Sequence, residues 1–310
     1  MRTAFFCCLS ALLTLASVFA QTSDVVDRSQ LFRANPGVST PAENVDESGT
    51  SQGYAAATPN DEDLGIQAIL KRQDQYRPFS VSVGVPFYFT SNVALARENE
   101  QSDFVFTPGI SIGYSPRVSQ TFYVTVGLSQ QWFIYDRFGE LDFSSFDASL
   151  GLAYYLPQLH DLSLGLHYDY NRLTSDGGDR LFSNHQLLLT AEMPFRIGRA
   201  MQLSTGVGVN FSLAAEPESP RRNEYDVHLS YDLQLSRAFS VDATVRAVLK
   251  QFEQDRTDVS EILALTAIYR VREWLALSAI ATFAWNQSDE DVFEYSVANL
   301  GGTLAVTMRF

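Results

Sequence analysis

Few residues in this chain are spaced to do covalent chemistry. The best nucleophile candidate is Ser230, which follows His228 and Asp226 at alternate positions in DVHLS, residues 226–230. A Ser-His-Asp relay needs a continuous hydrogen-bond chain from hydroxyl to imidazole to carboxylate. Alternate residues of one extended strand share a face but project side by side, so this spacing does not supply the chain. The other histidines, His160, His167 and His185, have no partners at metal-ligand spacing. TSDGGDR, residues 174–180, is acidic and contains glycine but lacks the ligand periodicity of an EF-hand loop. No glycine-rich phosphate loop follows a strand. The expectation is no catalytic residue, no cofactor and no metal.

What remains is organisation, and it begins with export. Residues 1–20, MRTAFFCCLSALLTLASVFA, carry Arg2, an apolar run from Ala4, and small residues at Val18 and Ala20. This is the pattern of a secretory signal peptide cut after Ala20. The run falls short of the roughly 20 apolar residues of a membrane span, and polar QTSD follows directly. Both cysteines, Cys7 and Cys8, lie within it, so the exported chain is held by no disulfide. The leader holds one base and no acid, so its removal takes the formal net charge from −14 to −15. Such a chain is a poor partner for nucleic acid, which requires clustered Lys and Arg. No later stretch reaches about 18 apolar residues. The mean hydropathy of −0.07 fits a chain whose apolar residues are dispersed by alternation.

Residues 21–77 read as a disordered, acidic periplasmic arm. Between 21 and 63 there are eight acids against two arginines, among many Ser, Thr, Pro and Asn. Such a segment buries too little apolar surface to offset its ordering entropy. Asp61, Glu62 and Asp63 could cap a short helix over 64–72, ending at Lys71 and Arg72, as a small plug or periplasmic contact.

From Pro78 the period becomes two. Phe79, Val81, Val83, Val85, Phe87 and Phe89 alternate with small or polar residues, and the pattern recurs in twelve segments through to 300–310. Each is about 10–13 residues long, longer than the usual 5–6 and suited to a tilted crossing of a bilayer by roughly 9–11 residues. Short connections such as PQLHD and GRA alternate with longer, charged ones such as SDEDVFE. The expected fold is all-β: a transmembrane antiparallel up-and-down barrel of about 12 strands over 78–310. Outward aromatics fall into two girdles, with Phe79, Tyr114, Phe195 and Tyr269 near the turn end and Phe104, Trp132, Phe211 and Trp285 near the loop end.

The last strand carries a resemblance. In GGTLAVTMRF, Leu304, Val306, Met308 and Phe310 share one face. Over residues 78–310 the chain resembles bacterial outer-membrane β-barrel proteins of porin-like type, whose final strand ends on Phe after alternating apolar residues. The resemblance implies residence in the outer membrane, with its lipid and lipopolysaccharide as surroundings. It also implies that those four residues are the signal read by the barrel-assembly machinery.

If the apolar face meets lipid, the opposite face lines the lumen. With the N-terminus periplasmic, Asp147, Asp169, Asp226, His228 and Lys250 fall in the outer half. Glu192, Arg196, Asp232, Asp242, Arg270 and Arg309 fall toward the periplasm, and His167 and Arg246 complete the set of candidates. The leading function is a porin-like channel for passive passage of small solutes or ions. The alternatives are a non-conducting structural or envelope-interaction barrel, and an outer-membrane lipid hydrolase, which the almost wholly apolar outer face disfavours. Three outer acids against Lys250 imply a weak cation preference, fading as salt screens it over roughly 10 Å at 0.1 M.

Overall fold

A computed structural model describes residues 25–32, 77–198 and 200–310. The expected signal peptide and the expected helix over 64–72 lie outside the described residues. Residues 25–32 are helical (α1), so the arm expected to be disordered has structure over those eight residues.

The barrel consists of strands β1 Phe79–Thr90, β2 Asp103–Phe106, β3 Gly109–Tyr114, β4 Phe122–Tyr135, β5 Phe143–Leu156, β6 Leu162–Ser175 and β7 Arg180–Arg196. It continues with β8 Met201–Glu216, β9 Arg222–Gln234, β10 Phe239–Phe252, β11 Thr257–Arg272, β12 Leu275–Ser288 and β13 Tyr295–Arg309. Neighbours pair antiparallel throughout, and β13 pairs with β1 from Ser80↔Arg309 to Thr90↔Asn299, closing the sheet. Twelve crossings result, because β2 and β3 are two halves of one span. Pro108 has no N–H to give the ladder, so pairing breaks at Thr107 and Pro108. The freed groups are still used: Thr107 N–H donates to Pro86 O at 2.9 Å, and Trp132 N–H donates to Pro108 O at 3.0 Å.

Closure runs to the final residue. Phe310 N–H donates to Phe79 O at 2.8 Å, Phe79 N–H donates to Phe310 O at 3.3 Å, and the two rings lie 6.0 Å apart. Along β1 the odd residues are exposed or half-exposed on the outside, while Tyr88 and Thr90 point inward and are buried. The same alternation gives a continuous outer belt that includes Ile112, Leu128, Leu150, Leu166, Val207, Val245, Leu265 and Leu304, all exposed.

The strands are longer than their apolar alternation. β7 spans 17 residues and both β8 and β11 span 16. At a rise of ~3.3 Å per residue and a tilt near 40°, about 14 residues already exceed an apolar band ~25 Å tall. The excess lies at the loop end, where β7 begins at Arg180 and β11 at Thr257, seven and six residues before sustained apolar alternation sets in at Leu187 and Leu263. The connections there shorten accordingly; TSDGGDR, residues 174–180, contains only a four-residue turn over 176–179. These ends stand clear of hydrocarbon, so they pair as strands with little apolar outer face to reveal them.

A close approach marks the seam. The ring of Tyr88 lies against Gly301, where a Cβ would fall 2.2 Å from Phe87 O and 2.4 Å from Tyr88 Cδ1. Gly301→Ala must therefore push β1 off β13. Overpacking of this kind costs about 1–3 kcal/mol. The temperature at which the purified barrel loses its compact gel mobility should fall for Gly301→Ala. Gly139→Ala, at a loop glycine with nothing within 4 Å of the added Cβ, should leave it unchanged.

Candidate functional site in the loop end of the lumen

Helix α1, VVDRSQLF, lies inside the barrel at its loop end, with every residue buried except half-buried Gln30. An eight-residue helix is marginal alone in water, so its packing must hold it. Val25, Val26 and Phe32 join an apolar cluster with the inward-facing Tyr88, Val105, Phe133, Phe143, Leu173 and Phe182. The Phe32 ring lies 5.0 Å from Tyr88 and 6.0 Å from Phe133, which stacks on Phe143 at 4.2 Å. On another side Leu31 packs with Leu95, Ala284, Tyr295 and Val297. Leu95 belongs to the segment 91–102, which folds in over the helix: Arg28 Nη1 donates to Val93 O at 3.4 Å. Arg97 ties that segment across the mouth to Asp291 at 3.3 Å and Glu294 at 3.1 Å.

The polar seat of the helix centres on Asp27. Its Oδ1 is 2.8 Å from Arg222 Nη2 and 3.0 Å from Lys250 Nζ. Arg222 Nε also meets Glu224 Oε1 at 2.7 Å. Gln30 bridges both wall residues, accepting from Arg222 Nη2 at 2.7 Å and donating to Glu224 at 3.0 Å. Asp27, Arg222 and Lys250 are each about 5% exposed. Burial pushes the Asp27 carboxyl up, but Arg222 and Lys250 outweigh burial and hold it down at about 2, against an ordinary 3.8. Beside this seat, Asp258 is fully buried and accepts from Ser288 Oγ at 2.6 Å. Arg256 lies 3.2 Å from Asp258, sandwiched between the rings of Phe252 and Phe293 at 3.5 and 3.6 Å.

The thirteen polar candidates all occupy the strand parity opposite the exposed apolar row. Asp147 accepts from Asn171 Nδ2 at 2.7 Å and Ser145 Oγ at 3.1 Å. Asp226 meets Arg246 Nε at 3.2 Å and His228 Nδ1 at 3.5 Å. His167 lies against Gly151 and Gly165. Asp169 stands in register with Ser149 and Gln186, Glu192 with Ser163 and Gly206, and Asp232 with Asp242. Arg196, Arg270 and Arg309 sit at the turn end. Of the thirteen candidates, Lys250 bonds the helix through Asp27, and Arg246 lines the same cavity as Asp27 and Leu31. The Ser230 hydroxyl shares a 2.8 Å hydrogen bond with Thr244 Oγ1, so Asp226, His228 and Ser230 form no relay. Arg246 faces Asp226 and Asp27 faces Lys250, so those pairs are neutral and the expected acid surplus rests on Asp147 and Asp169. The residues missed at the sequence level are Asp27, Gln30, Arg222, Glu224, Arg256 and Asp258. The inward parity of Arg222 and Glu224 in RNEYD is a usable signal once β9 is extended back from Tyr225.

No family model matches the chain, and no curated protein matches it. Among solved structures, an outer-membrane channel from Pseudomonas putida F1 is similar with a TM-score of 0.53 at 9% identity, over 75% of this chain and 96% of that one. The fold is that of an outer-membrane β-barrel. The NanC porin aligns at TM-score 0.43 and 6% identity over 72% of this chain and 98% of its own. The KdgM porin aligns at 0.38 and 9% over 72% and 97%. The exposed belt on a closed wall places this barrel in a bilayer, which for this fold is the bacterial outer membrane.

The Asp27 seat makes docking of the helix acid-sensitive. A carboxyl depressed in the docked state stabilises docking fully above its ordinary pKa, and loses that contribution as pH falls from about 4 toward about 2. Pepsin works across this range, and the Leu31–Phe32 bond is buried only while the helix is docked. Cleavage there should be slow at pH 4 and fast at pH 2 in the wild type. In Asp27→Asn it should be fast at both, as read by mass spectrometry.

Proposed function

We propose that this chain is a porin-like channel for passive passage of small solutes, held narrow at the loop end by helix α1. The observation that carries the reading is how the helix is attached. Twelve crossings make a wall wider than the roughly eight-stranded barrels that side chains fill, and narrower than the 16–18-stranded porins. The space is occupied by an element bound through side chains, with no strand ladder joining it to the wall among the described residues. Such an element can leave without opening the sheet. The polar candidates from Asp147 to Arg309 then line the path. Outer-membrane lipid and lipopolysaccharide surround the belt, and the assembly machinery reads the strand ending at Phe310. This function includes no catalytic step, cofactor or metal.

A non-conducting barrel that serves structure or envelope contacts is the second reading. It is favoured by the inward apolar cluster around Phe133 and Phe182, which gives the loop end a packed core.

Planar-bilayer recording separates the two. The wild type should conduct weakly, and a chain lacking residues 21–32 should conduct several-fold more per channel. If both forms are silent, although both show the compact gel mobility of a folded barrel, the non-conducting reading is correct.

A further inference from the structure

The barrel wall beneath the helix holds a cation excess that its own carboxylates do not balance. Arg222 and Lys250 face a single wall acid, Glu224, and the adjacent charges are matched pairs, Arg246 with Asp226 and Arg256 with Asp258. The missing negative charge comes from Asp27, which belongs to the helix. Arg222 is fixed in position by Glu224, by Gln30 and by the Phe252 ring 5.1 Å away. Its buried Nη1 has no hydrogen-bond partner among the described residues. A guanidinium is a fork suited to grip a carboxylate, and here Arg222 Nη2 and Lys250 Nζ both approach Asp27 Oδ1.

An apolar surface adjoins this charge. Leu31 lies one helical turn beyond Asp27, on the same side of the helix. Beside them is a cavity of about 150 Å3 lined on the wall by Lys250, Glu224 and Arg246 together with Val248, Ile262 and Ala284. The helix thus presents to the wall one carboxylate with one branched aliphatic group beside it.

We propose that Arg222 and Lys250 form a carboxylate-binding site in the barrel wall, which Asp27 and Leu31 occupy when the helix is docked and a short aliphatic monocarboxylate occupies when it is not. That such a solute then crosses the barrel rests on the channel reading above; the site itself does not. A tethered carboxylate competes at an effective concentration of about millimolar or more, so a free one binds weakly until the tethered one is removed.

Calorimetric titration of the detergent-solubilised full chain tests this with butyrate and its neutral isostere butyramide. Asp27→Ala should bind butyrate at least tenfold more tightly than the wild type and should not bind butyramide. Adding Lys250→Gln to Asp27→Ala should abolish butyrate binding. Compact gel mobility before boiling certifies folding, and Asp27→Asn serves if Asp27→Ala does not fold. The proposal is overturned if the folded variant binds neither compound, or binds both alike. Bilayer recording of the same variant keeps the two ideas apart. Butyrate binding in a silent barrel would retain the site and defeat the channel, and conduction without butyrate binding would do the reverse.

Discussion

Hydrocarbon offers no hydrogen-bond partner to a peptide group, and the architecture of this chain follows from that. Every N–H and C=O in the belt must be paired within the sheet, so the sheet must close on itself. Closure explains why β1 is bonded to β13 from Ser80 to Thr90 and why the rings of Phe79 and Phe310 meet at the seam. It also divides each strand into a face that must be apolar and a face that need not be. The inner face can therefore carry charges that no lipid-facing position would tolerate.

The helix seat uses that freedom. Burying an ion pair gains little stability by itself, because desolvation offsets the attraction, but removing one partner from a buried pair costs about 3–5 kcal/mol. Asp27 is thus less a source of stability than a condition of where the helix can rest: only a position that brings a carboxylate to Lys250 and Arg222 adds a second negative charge to the one that Glu224 supplies. The apolar contacts of Phe32 and Leu31 add affinity without comparable direction. Together they put a removable body in the wider part of the lumen and leave the wall intact beneath it.

The fold was largely legible in the sequence, because lipid contact imposes a period of two over each crossing. Where lipid ends, the signal ends. Residues 180–186, 222–224 and 257–262 pair as strand with little apolar outer face, so alternation alone does not reveal them. The site was less legible for the same reason, since Arg222, Glu224 and Asp258 sit in those extensions. Asp27 was harder still. VVDRSQLF is short and lies within a segment rich in acids and polar residues, and it is helical only against partners some two hundred residues away, such as Glu224 and Lys250. Local composition contains no trace of such partners. The interior also proved less polar than its alternation implied, since Tyr88, Phe133 and Phe182 face inward to meet the helix.

Helix α1 inside the barrel is shielded by the wall, and the accessibility of one of its buried residues in a membrane tests that placement directly. The chain beyond residue 20 contains no cysteine, so a single engineered thiol reports alone. Ser29 is 2% exposed, and its hydroxyl donates within the helix to Val26 O at 2.8 Å, so Ser29→Cys is a mild change. In liposomes that protein should react with a charged maleimide far more slowly than after unfolding in denaturant. Labelling at the unfolded rate in the intact barrel would show that the helix does not rest there.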